Sequence, residues 1–194
     1  MDTMASYQQA QDKLDEVLSA VRPDQWDGPS ACSEWTVRDV AGHLIWAQNQ
    51  LRAWAMEEEY TERAGAPGSP KPGVMAGDDP VATWRAARAA SVSSLTDEAL
   101  ARTTTITGIG EVPLVAVLSL MITDTVTHTW DIAHGIEMDI QMDPALVALA
   151  FDWGRRNVVR RPGFFGPELA PPADADEQTR MLAFLGRADW QPVS

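Results

Sequence analysis

The stretch Pro113-Leu-Val-Ala-Val-Leu-Ser-Leu-Met-Ile122-Thr123-Asp124-Thr-Val-Thr-His128-Thr-Trp-Asp131-Ile-Ala-His134-Gly135 decides how this chain is read. Its first half is apolar around nearly the whole circumference of a helix, and such a helix is normally buried. Its second half continues that helix with threonines, aspartates and histidines, so ionisable groups enter a core. At 3.6 residues per turn Asp124 and His128 stack on one face, and Asp131 returns to it three residues later. A carboxylate and an imidazole one turn apart can hold one cation or share one proton. Gly135 is the expected C-cap.

Upstream, Leu14, Val17, Leu18 and Val21 recur at helical spacing, which predicts an amphipathic helix over residues 4–21. Pro23, Gly28 and Pro29 break residues 22–35 into a loop, with Trp26 and Trp35 as its anchors. Thr36-Val-Arg-Asp39 is close to a capping box, so a second helix should start there and run to about residue 58, with His43 two turns in beside the apolar stripe. Glu57-Glu58-Glu59, then Gly65, Pro67, Gly68, Pro70, Pro72 and Gly73, read as a mobile surface connection and a candidate lid. Asp79-Pro80 caps a third helix to about Leu95, carrying Arg85 and Arg88.

Residues 102–113 combine β-branched residues with a glycine turn and predict two short strands before the long helix. Asp143-Pro144 opens a fifth helix to about residue 158. A Pro- and Gly-rich tail over 160–174 precedes a closing helix over 175–185, with Met181, Leu182 and Leu185 turned inward. The expected fold is mainly α: one domain over residues 1–194, a four-helix bundle whose fourth helix is the most buried. It has a short β excursion before that helix and an extra C-terminal helical segment.

With 194 residues, 45% of them hydrophobic, the chain can bury one sizeable core. Fifteen Lys plus Arg against 28 Asp plus Glu give a net charge of −13, which argues against nucleic acid as a partner. No apolar run approaches the roughly 18 residues that span a bilayer, so no membrane partner is expected. Asp2 and the residues after it do not follow a secretory-signal order, and a cytoplasmic protein is expected. Cys32 is the only cysteine, which excludes an intramolecular disulfide and a cysteine-rich metal site. A buried or loop thiol is a simpler account of Cys32 than a nucleophile.

His43 from the second helix could join Asp124 and His128 from the fourth. Two imidazole nitrogens and one carboxylate form a common catalytic zinc set that leaves a position open. Spacing alone favours a plainer account, with His128 a core histidine bonded to Asp124 and His43 at the helix surface. Burial weighs the other way, because a carboxylate in an apolar helix costs several kcal/mol unless it is paired or coordinated. Asp131 either orients a ligand imidazole or is a helix-surface acid. His134, near the helix end, more often meets terminal carbonyls than a metal. Trp46 and Trp130 are pocket candidates, and Arg85 and Arg88 are candidates for an anionic substrate, although solvated helix arginines are the simpler account of them.

Three elements together, Cys32-Ser-Glu-Trp-Thr-Val-Arg-Asp-Val-Ala-Gly-His43-Leu44, Asp124-Thr-Val-Thr-His128-Thr-Trp-Asp131 and Asp176-Glu-Gln-Thr-Arg-Met-Leu-Ala-Phe-Leu-Gly-Arg187, resemble a known family. It is the mycothiol-dependent maleylpyruvate isomerase-like branch of the DinB/YfiT-like metalloenzymes, and the likeness covers essentially the whole chain. The resemblance implies a four-helix bundle and a divalent metal held by His43, Asp124 and His128. Zn2+ is the expected ion and Ni2+ the alternative. It further implies a thiol-dependent isomerase or S-transferase, in which the metal activates a low-molecular-weight thiol such as mycothiol for attack on a small electrophile. The isomerase pattern carries Glu where Asp124 stands, and 194 residues are not expected to hold that enzyme's additional C-terminal domain.

The expected partners are a small-molecule substrate and a thiol, with a homodimer as one option for assembly. A small hydrolase using bound water and a non-catalytic metal-binding or stress-response module are the competing readings.

Overall fold

In the computed structural model, which describes residues 2–106, 110–160 and 164–188, the long apolar-then-polar stretch forms one uninterrupted helix. The described elements run in chain order as α1 (Thr3–Ala20), α2 (Val37–Met56), α3 (Pro80–Ser94), α4 (Asp97–Ala101), β1 (Thr103–Ile106), β2 (Gly110–Pro113), α5 (Leu114–Gly135), α6 (Pro144–Asn157) and α7 (Glu177–Phe184), with a 3-10 turn at Pro72–Ala76. The protein is mainly helical. α1 packs on α5 and α3, and α2 packs on α3 and α5, so each of these four helices touches two others across a shared core. Leu14, Leu44, Leu51, Trp84, Leu118 and Ile132 are fully buried there. α6 packs on the outer side of α5 and carries α7.

The helix starts follow local chemistry. The Thr36 hydroxyl accepts from the Asp39 backbone N–H while the Asp39 carboxylate accepts from that of Thr36, so the capping box is complete with Asp in the Glu position. Asp79, Asp143 and Asp176 accept from the first-turn amides of α3, α6 and α7. α5 enters from β2 with no side-chain cap. β1 and β2 pair antiparallel, from Thr103 opposite Pro113 to Ile106 opposite Gly110. The turn between them, with the expected glycine, lies outside the described residues.

Polar residues inside α5 are satisfied in two ways. The hydroxyls of Thr123, Thr127 and Thr129 donate to the carbonyls of Ser119, Thr123 and Thr125, one turn back. Asp124, His128 and Asp131 have no such outlet: they pair with one another along α5, with His43 and Arg187 reaching them from other parts of the chain. At the C-terminal end the stop falls one residue later than expected: Gly135 is still helical, and Ile136 takes the cap position.

One expectation is corrected, one element is new, and one open choice is decided. The connection between α2 and α3 is not a free lid. The indole N–H groups of Trp35 and Trp46 donate to the Ser69 and Glu62 carbonyls, Gly73 N–H donates to Asp39, and the 3-10 turn packs on α2. Contact is so close that a Cβ on Gly42 would stand 2.0 Å from the Pro72 carbonyl oxygen, and one on Gly65 would stand 2.2 Å from Trp46 Cβ. Only glycine fits at either position. Secondly, α4 is a short helix that the sequence reading did not anticipate, capped by Thr96. Thirdly, Asp131 is no surface acid, since it is fully buried. Among the described residues no helix is long and apolar enough to cross a membrane.

Candidate metal centre

α2 and α5 face each other where His43 meets Asp124 and His128. The Nε2 atom of His43 lies 3.4 Å from Asp124 Oδ2, and Nε2 of His128 lies 3.6 Å from Asp124 Oδ1. The two rings stand edge to face with centroids 5.2 Å apart. Both histidines are buried, whereas the Asp124 side chain keeps 18% of its surface, so approach from solvent is on the Asp124 side.

The outward nitrogens settle the tautomers. Nδ1 of His43 lies 2.7 Å from the Gly65 carbonyl oxygen, and Nδ1 of His128 lies 2.8 Å from Asp131 Oδ2. A carbonyl and an ionised carboxylate can only accept, so both Nδ1 atoms carry the proton. A neutral imidazole then has only a lone pair at Nε2, and two lone pairs converge on a carboxylate. Such an all-acceptor cluster calls for a cation or for protonation of the imidazoles.

Distances of 3.4 and 3.6 Å are long for direct N–H···O bonds. They match two donors on one ion, since bonds of about 2.0–2.1 Å at a tetrahedral angle hold their donor atoms roughly 3.4 Å apart. The donor set therefore fits a divalent cation, and each imidazole has the outer hydrogen bond that ligand histidines use to fix their orientation.

Electrostatics agree. Burial alone would push Asp124 up, but the neighbouring His43 and His128 hold it below the usual carboxylate range. Burial pulls His43 down, and the Asp124 charge, its hydrogen bond and the Gly65 carbonyl outweigh this, leaving the imidazole raised. Asp131 is likewise opposed by burial, yet Arg187 and His128 bring it to about 2.

A second cluster, Cys32, His128 and Asp131, also has the residue types for a metal. Its cation is already supplied by the chain, because Arg187 donates from Nε and Nη2 to the two Asp131 oxygens at 3.1 and 2.8 Å. Cys32 is a half-buried loop thiol, pushed up to about 12 by burial and by the Asp131 charge, which makes it a poor nucleophile.

The other sequence candidates fall in different places. Trp46 stacks parallel to His43 with centroids 6.2 Å apart. Trp130 instead stacks on His134 at 4.5 Å, and that pair lines a cavity of about 600 Å³ with Ser30, Trp35, Thr36 and Arg187. Arg85 and Arg88 sit on α3 and pair with Asp15 and Asp12 of α1, which makes them helix-to-helix ties rather than part of the histidine cluster. Sequence reasoning missed Trp35, whose ring lies 5.0 Å from His43 and 5.9 Å from His128. It also missed Gly65 and Arg187. The only signal in the sequence was Gly186, a helix-stopping glycine just before Arg187; in the structure it takes a φ of +82°, and the Arg187 N–H bonds to the Leu182 carbonyl, closing α7 as a Schellman turn.

Fold and site together define a mainly helical protein with a buried His–Asp–His cluster able to hold a divalent metal. The chain belongs to the family of the mycothiol maleylpyruvate isomerase N-terminal domain, whose model matches residues 7–133. Two uncharacterised proteins of Mycobacterium tuberculosis, from strains CDC 1551 / Oshkosh and ATCC 25618 / H37Rv, are each 31% identical to it over 191 residues, covering 96% of this chain and 98% of the relative. No solved structure matches the chain. The matched stretch contains His43, Asp124, His128 and Asp131 but ends before Arg187.

Proposed function

We propose that the chain is a metal-dependent enzyme of the thiol-using isomerase or S-transferase type, with His43, Asp124 and His128 as ligands of a divalent ion, Zn2+ first and Ni2+ second. The observation that carries this reading is the convergence of two Nε2 lone pairs on Asp124 while both Nδ1–H groups are spent on outer acceptors. Four packed helices, read as a DinB/YfiT-like bundle in one domain, supply the rigid frame such a site needs. The family's mycothiol-related description supports a low-molecular-weight thiol as co-substrate.

When bound, the metal supplies Lewis acidity that favours the thiolate form of a thiol at its open position. The chain's own residues do the rest. Asp124, the most exposed of the three, faces the entry, and its carboxylate would offset part of the charge of the ion it holds. Gly65 and Asp131 hold the two imidazoles in the tautomer that presents Nε2 inward. Trp35 and Trp46 cover the histidine rings and keep water from their backs. We place the protein in the cytoplasm with a small electrophile as substrate.

Elemental analysis of the purified protein tests the first step. Stoichiometric Zn2+ or Ni2+ in the wild type that is lost in His128→Ala is expected, and equal metal in both rejects the ligand set. Calorimetric titration of the metal-loaded protein with mycothiol tests the second step, and an absence of binding removes the thiol.

A further inference from the structure

Asp131 orients His128, but it is itself held from the far end of the chain. α7 closes as a Schellman turn: Gly186 adopts a φ of +82°, and the Arg187 N–H bonds back to the Leu182 carbonyl at 2.8 Å. That turn sends the Arg187 side chain inward to α5, where only 8% of the residue stays exposed. Nε donates to Asp131 Oδ1 and Nη2 to Oδ2, a two-point fork, while Nη1 donates to the Leu185 carbonyl at 2.8 Å. One guanidinium bond would let the carboxylate pivot, whereas two fix its plane. In that fixed plane Oδ2 also accepts the His128 Nδ1–H at 2.8 Å.

We propose that Arg187 is a positioning residue for the metal centre: by locking Asp131 it holds His128 Nε2 toward His43 and Asp124. The inference rests on the metal reading above. It also means that the stretch matching the family carries the ligands, while a helix beyond that stretch supplies the clamp. Two effects of removing Arg187 oppose each other. Loss of a buried positive charge makes the site more attractive to a cation, and loss of the fork lets the ligand imidazole swing. The carboxylate is bonded at three points, so geometry outweighs charge here.

Competition with a chromophoric chelator measures Zn2+ affinity in wild type, Arg187→Met, Arg187→Lys and, as a control for charge, Arg180→Met on the exposed face of α7. Arg187→Met should weaken Zn2+ binding by roughly 10- to 100-fold, the usual effect of losing an outer partner of a ligand histidine. Arg187→Lys, with its charge but no fork, should fall between. Arg180→Met should match wild type. The visible spectrum of the Co2+ form should change in Arg187→Met, which a purely structural ion pair would not produce.

Zn2+ affinity in Arg187→Met that equals or exceeds wild type overturns the proposal. A wild-type chain that takes up no Zn2+ removes the metal reading and this inference with it. Should Arg187→Met fail to fold, the unaltered protein decides: Zn2+ titration must shift the Arg187 Nε–H nitrogen resonance, and an unmoved resonance rejects the coupling.

Discussion

Asp131→Asn in metal-free protein isolates the buried carboxylate from everything a cation adds. Asp131 is fully buried and accepts from Arg187 at 3.1 and 2.8 Å and from His128 at 2.8 Å. Its carboxyl is brought from the ordinary 3.8 to about 2, against burial, by Arg187 and His128. A depression of that size makes the ionised form worth about 2 kcal/mol more than the neutral acid in the folded state. Asparagine keeps one acceptor, and either orientation turns its amide N–H at an Arg187 N–H, donor against donor, one of the two also meeting His128 Nδ1–H. It also leaves the buried guanidinium without its counter-charge, a loss that typically costs about 3–5 kcal/mol.

The expected destabilisation at pH 7 is therefore about 3 kcal/mol. For a chain of this size that lowers the melting temperature by roughly 10 °C. Urea unfolding followed by circular dichroism, in a chelator, reads the first number directly.

The pH dependence adds an independent check. The folded value lies below the unfolded one, so this contribution is complete above about pH 4 and disappears as the pH falls toward 2. Wild type should lose about 2 kcal/mol across that window that Asp131→Asn does not. A variant within about 0.5 kcal/mol of wild type at pH 7, or equal acid slopes for the two proteins, would show that the Asp131–Arg187 pair does not hold α7 to α5 as argued.

Three further outcomes are expected. Because His43 is raised above 6.5 in the metal-free site, a bound metal must displace its proton, and Zn2+ affinity should fall about tenfold per pH unit below pH 6.5; a flat profile between pH 5.5 and 6.5, on a scale of about one proton, counts against Nε2 of His43 as a ligand. The same raised value stabilises the metal-free fold below pH 6.5, and that stability is lost as the pH rises through the folded value. Gly42→Ala drives a methyl to 2.0 Å from the Pro72 carbonyl oxygen, so thermal unfolding should show a loss of about 1–3 kcal/mol, and unchanged stability would mean that the 3-10 turn does not press on α2 as described. Trp46→Phe removes the donor to the Glu62 carbonyl at 2.8 Å, a loss of about 1 kcal/mol, and amide exchange over residues 58–66 should speed up; unaltered protection would mean that the indole does not anchor that segment.

Much of the architecture was legible because it is written at short range. Thr36, Asp79, Asp143 and Asp176 each meet their partner amides within three residues, so the helix starts were readable from spacing. The hairpin strands were equally local. Asp124 and His128, one turn apart on α5, could be paired for the same reason, and His43 joined them by virtue of the residue types. The extra turn of α4 and the anchored path of the α2–α3 connection were not readable, since both depend on what the backbone meets after it has folded back.

By itself the sequence determined a mainly helical chain, a long central helix with an ionisable end, and three residues able to bind one cation. Only the tertiary structure decided which nitrogens face inward. That choice is made by the Gly65 carbonyl, 22 positions from His43, and by Asp131, which Arg187 grips across 56 positions. Helical spacing reports neighbours three and four residues apart, because the backbone bonds that set it are local. A contact across 56 positions depends on how α7 packs beside α5, and no period in the sequence carries that distance.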